Sequence, residues 1–276
     1  MSAFACIIYG LISGLTEFLP VSSRGHQALL RYMFGTETRI PLQELLVHIG
    51  IFFSLVVGCA EILNRLIREQ KILSGGHRRK ARYSDGKSPY DLRLLKTASF
   101  PLFVGLFIYF ATAKFENNLL LVMAFLFINA VILFIADYMP RGNRDARTMS
   151  SLDGIAMGLA GAFSVLPGVS RTGVVSSYAI ARGADDDNAI NWSVLLGIPA
   201  LIFAVLFDLV SLVTYGAGIH SIGAVFGCLL SGIAAFVGGY LGISLFKLIL
   251  NHSGLSKFAY YSVGAALFSF AVYLIT

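Results

Sequence analysis

The chain has 276 residues, of which 57% are hydrophobic and only 13% are charged, whereas a soluble domain carries roughly a quarter charged residues. This balance excludes a soluble globular protein. The net charge of +6 does not indicate a nucleic-acid partner, because ten of the basic residues lie in one short stretch, Arg65–Lys96, and no other basic face is present.

Apolar runs of about 20 residues recur along the chain, and each is long enough to cross a hydrocarbon core of about 30 Å as a helix. The runs are Pro41–Leu63, Leu94–Ala113, Leu119–Tyr138, Ile190–Tyr215, Ser221–Phe246 and Phe258–Thr276. They predict an all-α polytopic membrane protein with six transmembrane helices. Residues Met1–Gly10 lack a basic region and a small-residue cleavage site, so we expect no removable signal peptide.

Two further apolar regions, residues 3–34 and 152–182, are interrupted at their centres. The interruptions are Pro20–Gly25 (PVSSRG) and Pro167–Gly173 (PGVSRTG), in which Pro, Gly and Ser break the helix around a central Arg. They resemble each other at an offset of 147 to 148 residues, about half the chain. The chain therefore carries an internal repeat with a broken helical hairpin at the start of each half.

Basic residues predict how these elements are oriented, because cytoplasmic loops are enriched in Lys and Arg. They place the basic loop 64–96 in the cytoplasm, and the loop Arg141–Arg147 on the same side. Each half then has three spans, an odd number, so the repeats, about 1–140 and 150–276, are inverted within a single membrane domain, residues 1–276. Two re-entrant helical hairpins enter from opposite faces, and such paired breaks mark a site near the midplane.

The two breaks concentrate residues suited to bind and transform an anion. Helices expected to start after Gly25 and Gly173 present N-terminal N–H groups, which bind anions, and Arg matches phosphate oxygens bidentately. A carboxylate and an imidazole beside a bound phosphate indicate metal binding, nucleophilic attack or proton transfer. The polar residues are Glu17, Ser22, Ser23, Arg24 and His26 in the first break and Ser170, Arg171 and Thr172 in the second.

Each of these residues also has a purely structural alternative. Glu17 and Arg171 would stabilise each other as a buried ion pair, since charges inside a membrane need partners. His26 would form a hydrogen bond with backbone in the core, and the serines would cap the half-helices. These alternatives stay open beside the catalytic ones.

Four other polar residues lie outside the breaks. Asp153 follows Ser150 by three residues, which favours a helix-capping pair over chemistry. His48 lies in an apolar span and is a candidate substrate-binding or supporting group. We expect Asp137 and Asp208 near the ends of spans and assign them no role.

The segments Glu17–His26 (EFLPVSSRGH) and Leu166–Gly173 (LPGVSRTG) together resemble the two signature motifs of the undecaprenyl-diphosphate phosphatase family of the bacitracin-resistance type. The resemblance implies hydrolysis of undecaprenyl or another polyprenyl diphosphate to the monophosphate, which recycles the cell-wall lipid carrier. It also implies a divalent cation, Mg²⁺ or Ca²⁺, and a multi-pass protein of the bacterial inner membrane whose active site faces outside. Its partners would be the lipid substrate, membrane lipids and, as one option for assembly, a second copy in a homodimer.

The same resemblance implies roles for individual residues. Glu17 matches the second acid of the family's acidic pair and would be the metal ligand, while Ser23 and His26 stay open as alternatives for the nucleophile. The residues implied in catalysis are Glu17, Ser23, His26 and Arg171, and those expected to bind substrate are Ser22, Arg24, His48, Ser170 and Thr172.

Three positions depart from the family pattern. Ser13 stands four residues before Glu17, where the family usually has Glu or Gln. Arg24 replaces a small hydroxyl residue, and Thr172 replaces Ser. Because hard divalent cations need several oxygen ligands, we expect the first two changes to weaken cation binding and to add positive charge.

A lipid transporter or flippase without hydrolysis is the alternative function, because inverted repeats around a midplane site are transporter architecture. Release of phosphate from the lipid distinguishes the two functions. The chain has no Arg-Pro dipeptide, which excludes the lipid-phosphatase class that uses a Lys-x6-Arg-Pro motif, and it has no GxxxxGK[ST] nucleotide motif.

The orientation yields the first testable prediction. Single cysteines at Ser74 and Thr36, introduced after the native cysteines are replaced, should react differently with an impermeant thiol reagent added outside whole cells. The probe at Thr36 should be labelled and the one at Ser74 should not, because basic loops stay in the cytoplasm. Labelling at Ser74 without labelling at Thr36 would contradict the inverted-repeat topology.

Overall fold

The chain is helical throughout the part that the computed structural model describes, which is residues 2–36, 39–74, 90–112, 115, 118–146, 148–219 and 221–275. Six helical segments there are long and apolar enough to span a membrane, which confirms the prediction of an all-α polytopic membrane protein. Residues 37–38, 75–89 and 147, which belong to the predicted outer segment and to the two basic loops, lie outside the described residues.

The described residues form thirteen α-helices. In chain order they are α1 (Ala3–Phe18), α2 (Ser23–Met33), α3 (Pro41–Gly58), α4 (Ala60–Ser74), α5 (Tyr90–Leu102), α6 (Val104–Thr112), α7 (Leu119–Asp137), α8 (Ser151–Ala162), α9 (Arg171–Ala181), α10 (Asp186–Leu195), α11 (Gly197–Tyr215), α12 (Ile222–Ser253) and α13 (Ser256–Ile275). The six spans are α3, α5 with α6, α7, α10 with α11, α12 and α13.

Two of the spans are interrupted where the sequence removes a helical hydrogen bond. Pro101 lies in the last turn of α5 and has no N–H to donate, and α6 starts two residues after α5 ends. In the second half, α10 ends at Leu195 and α11 starts at Gly197, two residues before Pro199. The predicted spans are therefore correct in number, with breaks at the prolines.

The two broken hairpins consist of α1 with α2 and of α8 with α9, the latter joined through a 3-10 turn at Phe163–Val165. The half-helices do not start after Gly25 and Gly173, as the sequence predicted, but at Ser23 and Arg171. The reason is that Ser22 and Ser170 are the N-caps, whose hydroxyl groups accept the N–H of Gly25 and Gly173. The capping alternative is thus confirmed for these two serines.

Several packing partners are equivalent in the two halves. Helix α1 packs mainly against α12, and its counterpart α8 packs mainly against α5; α7 packs against its own counterpart α13, and α3 packs against its counterpart α11. Helix α3 packs more extensively against α12, whereas the counterpart pair, α11 and α5, has little contact, so the two halves are not equivalent throughout. The inverted repeat stays a prediction that the equivalent pairs support. The entry of the hairpins from opposite membrane faces stays a prediction.

Glycine allows the first hairpin to approach α12 at backbone distance. A Cβ at Gly14 would lie 2.1 Å from the carbonyl oxygen of Ala235, and one at Gly10 would lie 2.0 Å from that of Ser231. The second hairpin repeats the arrangement, since a Cβ at Gly158 would lie 2.1 Å from the carbonyl oxygen of Ala98. Small residues are the usual means of close helix packing in membranes, where the hydrophobic effect gives no drive for association.

These contacts generate a stability prediction with a matched control. Gly14→Ala should lower the thermal unfolding midpoint of the detergent-solubilised protein, because overpacking a tight interface destabilises by about 1–3 kcal/mol. Gly264→Ala, in α13, should leave the midpoint unchanged or raise it slightly, because nothing lies within 4 Å of the added Cβ and Ala is the better helix former. Equal midpoints for the two variants would show that α1 and α12 do not pack as described.

Candidate functional site

The tips of the two hairpins meet and satisfy each other's backbone. The carbonyl oxygen of Leu19 accepts hydrogen bonds from Thr172 Oγ1 at 2.9 Å and from Ser170 Oγ at 3.2 Å. In the other direction, the N–H of Gly168 donates to Ser22 Oγ at 3.0 Å. Ser22, Ser170 and Thr172, predicted to bind substrate, therefore join the hairpins to each other, and none of these contacts tests the predicted substrate binding.

Asn129, on α7, ties both tips to a transmembrane span. Its side-chain amide donates to the carbonyl oxygen of Pro20 at 3.0 Å and its Oδ1 accepts the N–H of Ser170 at 3.0 Å. A third bond reaches Ser262 on α13. Sequence reasoning missed this residue, although a lone amide in the apolar run Leu119–Tyr138 is a signal that could have found it.

A cavity of about 130 Å³ lies beside the joined tips. It brings together six of the residues predicted from the sequence, together with polar residues that were not predicted. Apolar residues of α5, α6, α11 and the second hairpin form the rest of its wall. The predicted residues on its wall are Glu17, Ser23, Arg24, His48, Ser170 and Arg171, and the further polar ones are Thr16, Gln27, Arg39, Ser99, Tyr109, Ser164 and Asp208.

Glu17 and Arg171 form an ion pair that crosses from one half of the chain to the other. Arg171 Nη2 lies 3.1 Å from Glu17 Oε1, and Arg171 Nη1 donates to the carbonyl oxygen of Ser193 at 3.0 Å. Gly197 leaves room for this guanidinium, since a Cβ there would lie 3.0 Å from Arg171 Nη1. Both residues still line the cavity, so the ion pair and a role in binding are compatible.

Two further arginines share one aromatic ring on the cavity wall. The guanidinium carbon of Arg24 lies 5.1 Å from the ring centroid of Tyr109, and that of Arg39 lies 5.9 Å from it. Arg24 Nη1 also donates to the carbonyl oxygen of Val165 at 3.4 Å. Arg39 was not a predicted residue; a basic residue just before a span is usually read as a loop charge.

His48 pairs with an acid that the sequence analysis left without a role. Its Nδ1 lies 2.5 Å from Asp208 Oδ2, and both side chains line the cavity. The expectation that Asp208 lies near a span end is wrong, because it is buried inside α11, seven residues before the helix ends at Tyr215. An acid within an apolar span is functional by default, and that signal was available.

His26 does not lie on the wall of the cavity. Its Nδ1 donates to the carbonyl oxygen of Ser22 at 2.8 Å, and its Nε2 lies 2.9 Å from the hydroxyl of Tyr261, with the two rings stacked. Both ring nitrogens are thus occupied by neighbours. The catalytic role of His26 stays a prediction.

The arrangement around Glu17 does not fit a tightly held divalent cation. Ser13, one turn before Glu17, is fully buried outside the cavity wall, and its Oγ has no hydrogen-bond partner. Its carbonyl oxygen accepts Ser23 Oγ at 3.3 Å instead. In the described part of the chain, no group of three or more His, Cys, Asp or Glu side chains is placed to hold a metal.

The two other acids singled out from the sequence, Asp153 and Asp137, have structural roles. Ser150 and Asp153 form a capping box at the start of α8, and Asp153 also binds Arg182 and Tyr178. Asp137 ends α7, as expected, and accepts backbone N–H groups at the start of α13. The capping prediction for Asp153 is confirmed.

Comparison with known proteins finds one matching family and relatives that share one name. The family described as bacitracin resistance protein BacA matches residues 6–268. The chain is 31% identical to an undecaprenyl-diphosphatase of Carboxydothermus hydrogenoformans, over 95% of this chain and 94% of that protein. It is 29% identical to one of Alkaliphilus metalliredigens, over 99% and 100% of the two chains, and 30% identical to one of Methanobrevibacter smithii, over 95% and 94%.

The matched residues include both hairpin tips and every residue of the cavity wall. The chain therefore belongs to the bacitracin resistance protein BacA family.

Proposed function

We propose that the chain is an integral-membrane phosphatase that hydrolyses undecaprenyl diphosphate, or a closely similar polyprenyl diphosphate, to the monophosphate and phosphate. The observation that carries this proposal is the cavity at the joined tips, where three guanidinium groups, two carboxylates and several hydroxyl groups meet among apolar helices. Relatives 31% and 29% identical over nearly the whole chain are named undecaprenyl-diphosphatases, which supports hydrolysis.

The arginines supply the affinity for the diphosphate. Arg24, Arg39 and Arg171 all reach the cavity, and guanidinium groups bind phosphate oxygens through paired, charge-assisted hydrogen bonds. Arg171 is also the first residue of α9, so the positive N-terminal end of that helix dipole lies at this residue. Ser170 completes this end of the cavity.

In the reaction, the bond between the terminal phosphorus and the bridging oxygen breaks, and its electron pair leaves with the lipid monophosphate. Water supplies the oxygen that ends on the released phosphate. Ser23 lines the cavity and is our candidate for the nucleophile of a first transfer step. His26 is the second candidate, and it would have to exchange its bonds with Ser22 and Tyr261 to act.

The apolar tail of the substrate has a groove available next to the cavity. A groove of about 480 Å³ runs between α7, α8 and α9 and is lined almost wholly by apolar side chains, among them Phe125, Ile132 and Val174. Val169 lines both the groove and the cavity. A lipid with its diphosphate at the arginines can therefore lay part of its tail along this groove.

We further propose that the cavity opens to the outer face of the plasma membrane. Arg39 lies on its wall, between α2 and α3, in the segment assigned to the outside by the charge distribution. Assembly as a homodimer stays a prediction.

A transporter that binds the same lipid without hydrolysis is the second candidate, favoured by the helix pairs that pack equivalently in the two halves. One assay separates the two functions. Purified protein and a detergent-solubilised polyprenyl diphosphate should release phosphate with multiple turnovers. Stoichiometric binding without release of phosphate would support the transporter.

Arg171 gives the sharpest test of the site within that assay. Arg171→Ala should lower kcat by about 10²–10³, the usual loss when one preorganised charge-stabilising group is removed. Arg171→Lys should recover only part of it, because a point charge lacks the bidentate fork. Arg68→Ala, an exposed residue of α4 outside the cavity, is the control and should behave as wild type. Turnover near wild type in Arg171→Ala would refute the assignment.

His48 is proposed to bind substrate through the ring edge that faces away from Asp208. His48→Gln should keep the unfolding midpoint, because an amide can still donate to Asp208, and should raise KM, because it lacks the second ring nitrogen. His48→Leu should raise KM and also lower the unfolding midpoint, because it leaves a buried carboxylate without its partner, a change that typically costs about 3–5 kcal/mol. An unchanged KM in both variants would contradict substrate binding by His48, and equal unfolding midpoints would contradict the pairing with Asp208.

A further inference from the structure

We propose that in this chain guanidinium groups, those of Arg24 and Arg39 with Arg171, take the place of a divalent cation, so that the diphosphate is bound and hydrolysed without added metal. This inference rests on the proposed function. The inference goes beyond the proposed function because it assigns to Arg24 and Arg39 the charge stabilisation that a resident cation would supply.

The carboxylates on the described cavity wall are not available as metal ligands. Ca²⁺ takes six to eight oxygen ligands and Mg²⁺ takes six, and protein sites usually supply at least one or two of them from carboxylates. The two carboxylates on the cavity wall are both engaged: Glu17 with Arg171 at 3.1 Å, and Asp208 with His48 at 2.5 Å. Recruiting either one to a cation would leave its present partner without a counter-charge.

The position one turn before Glu17 lacks a second carboxylate. Residues four apart lie on the same face of a helix, so an acid at position 13 would add a second carboxylate next to the first. The residue there is Ser13, whose hydroxyl is buried, has no hydrogen-bond partner and lies outside the cavity wall. A neutral hydroxyl in that place cannot hold a divalent cation beside three arginines.

The charges of the cavity wall favour an anion over a cation. Three guanidinium groups and two carboxylates line it among the described residues, so the guanidinium groups exceed the carboxylates by one, and each carboxylate is already paired. A divalent cation would be repelled by every guanidinium group, whereas a diphosphate would be attracted by all three.

The guanidinium groups of Arg24 and Arg39 are held in place by neighbouring groups. The ring of Tyr109 contacts the guanidinium groups of both Arg24 and Arg39, at 5.1 and 5.9 Å from its centroid, an arrangement that favours cations over the ring face. The bond from Arg24 to Val165, next to the second hairpin tip, orients it further. Charges fixed before the substrate arrives stabilise a transition state better than mobile ones.

In phosphoryl transfer the protein contributes mainly positioning and stabilisation of charge. As the bond to the bridging oxygen breaks, negative charge grows on that oxygen and persists on the terminal phosphoryl oxygens. Arg24 and Arg39, beside Tyr109, and Arg171, beside Glu17, all line the cavity and are placed to bind these oxygens. No proton or electron beyond those of the substrate and water is required.

The experiment measures phosphate release and metal binding on the same purified proteins. Wild-type kcat should change less than twofold between excess EDTA and millimolar Mg²⁺ or Ca²⁺. Arg24→Thr should lower kcat in EDTA by about 10²-fold, and the kcat of Arg24→Lys should lie between those of wild type and Arg24→Thr. Arg68→Thr, which alters an exposed arginine outside the cavity, should have the kcat of wild type.

The double variant Ser13→Glu/Arg24→Thr exchanges a cation for a carboxylate. Its kcat should exceed that of Arg24→Thr only when Mg²⁺ or Ca²⁺ is present. Electron paramagnetic resonance should detect Mn²⁺ bound to this variant and none bound to wild type. Ser13→Gln/Arg24→Thr, equal in size but neutral, should show neither effect. If the Glu variant does not fold, the EDTA comparison and the Arg24 variants decide alone.

Two results would overturn the proposal: a wild-type turnover that falls more than tenfold in EDTA and is restored by Mg²⁺ or Ca²⁺, or an Arg24→Thr variant equal to wild type. A wild type that releases no phosphate under any condition would overturn the proposed function instead. In that case binding of polyprenyl diphosphate in EDTA decides the inference: binding weakened at least tenfold by Arg24→Thr supports it, and binding unaffected by that change refutes it.

Discussion

The structure depends on one constraint, which is that irregular backbone among apolar helices must find its hydrogen-bond partners within the protein. Each hairpin breaks its helix, so carbonyl and N–H groups near Leu19 and Gly168 lose their helical partners. The two tips satisfy each other, and Asn129 satisfies both from α7. The contact between the two tips is the joint of the structure, and Ser22 lies in it with a strained backbone. It alone of the described non-glycine residues has a positive φ, 69°. Its hydroxyl accepts two N–H groups, those of Gly25 and Gly168.

The joint also explains where the charges lie. Joining the tips places the end of α1, with Glu17, against the start of α9, with Arg171, and an ion pair forms 154 positions apart in sequence. Because both residues keep some contact with the cavity, this pair neutralises each charge in the absence of ligand and leaves the guanidinium available to an anion. An arginine that binds Glu17, Ser193 and a phosphate in turn needs the space that Gly197 provides.

Affinity for a diphosphate can be reached with metal ions or with guanidinium groups, and the two solutions compete for the same space. A carboxylate pair attracts a divalent cation and repels arginine, whereas an arginine pair does the opposite. Ser13 and Arg24 therefore belong together as one change in the electrostatics of the cavity rather than as two separate losses. Tyr109 accommodates this change, because an aromatic face stabilises adjacent guanidinium groups at little desolvation cost.

The sequence by itself determined the class of fold, the six spans, the two breaks and their repetition, because hydropathy, helix breakers and basic loops act over short stretches of chain. It also identified part of the polar cavity wall, since Glu17, Ser23, Arg24, Ser170 and Arg171 lie in or beside the breaks. Only the tertiary structure decided which residues from other spans join them. Asp208 meets His48 across 160 positions and Asn129 meets Pro20 across 109, and no local pattern encodes such pairs. The same holds for His26, whose ring is directed to Tyr261 by the packing of α13, because a motif specifies which residues are near a site but not which way each side chain turns.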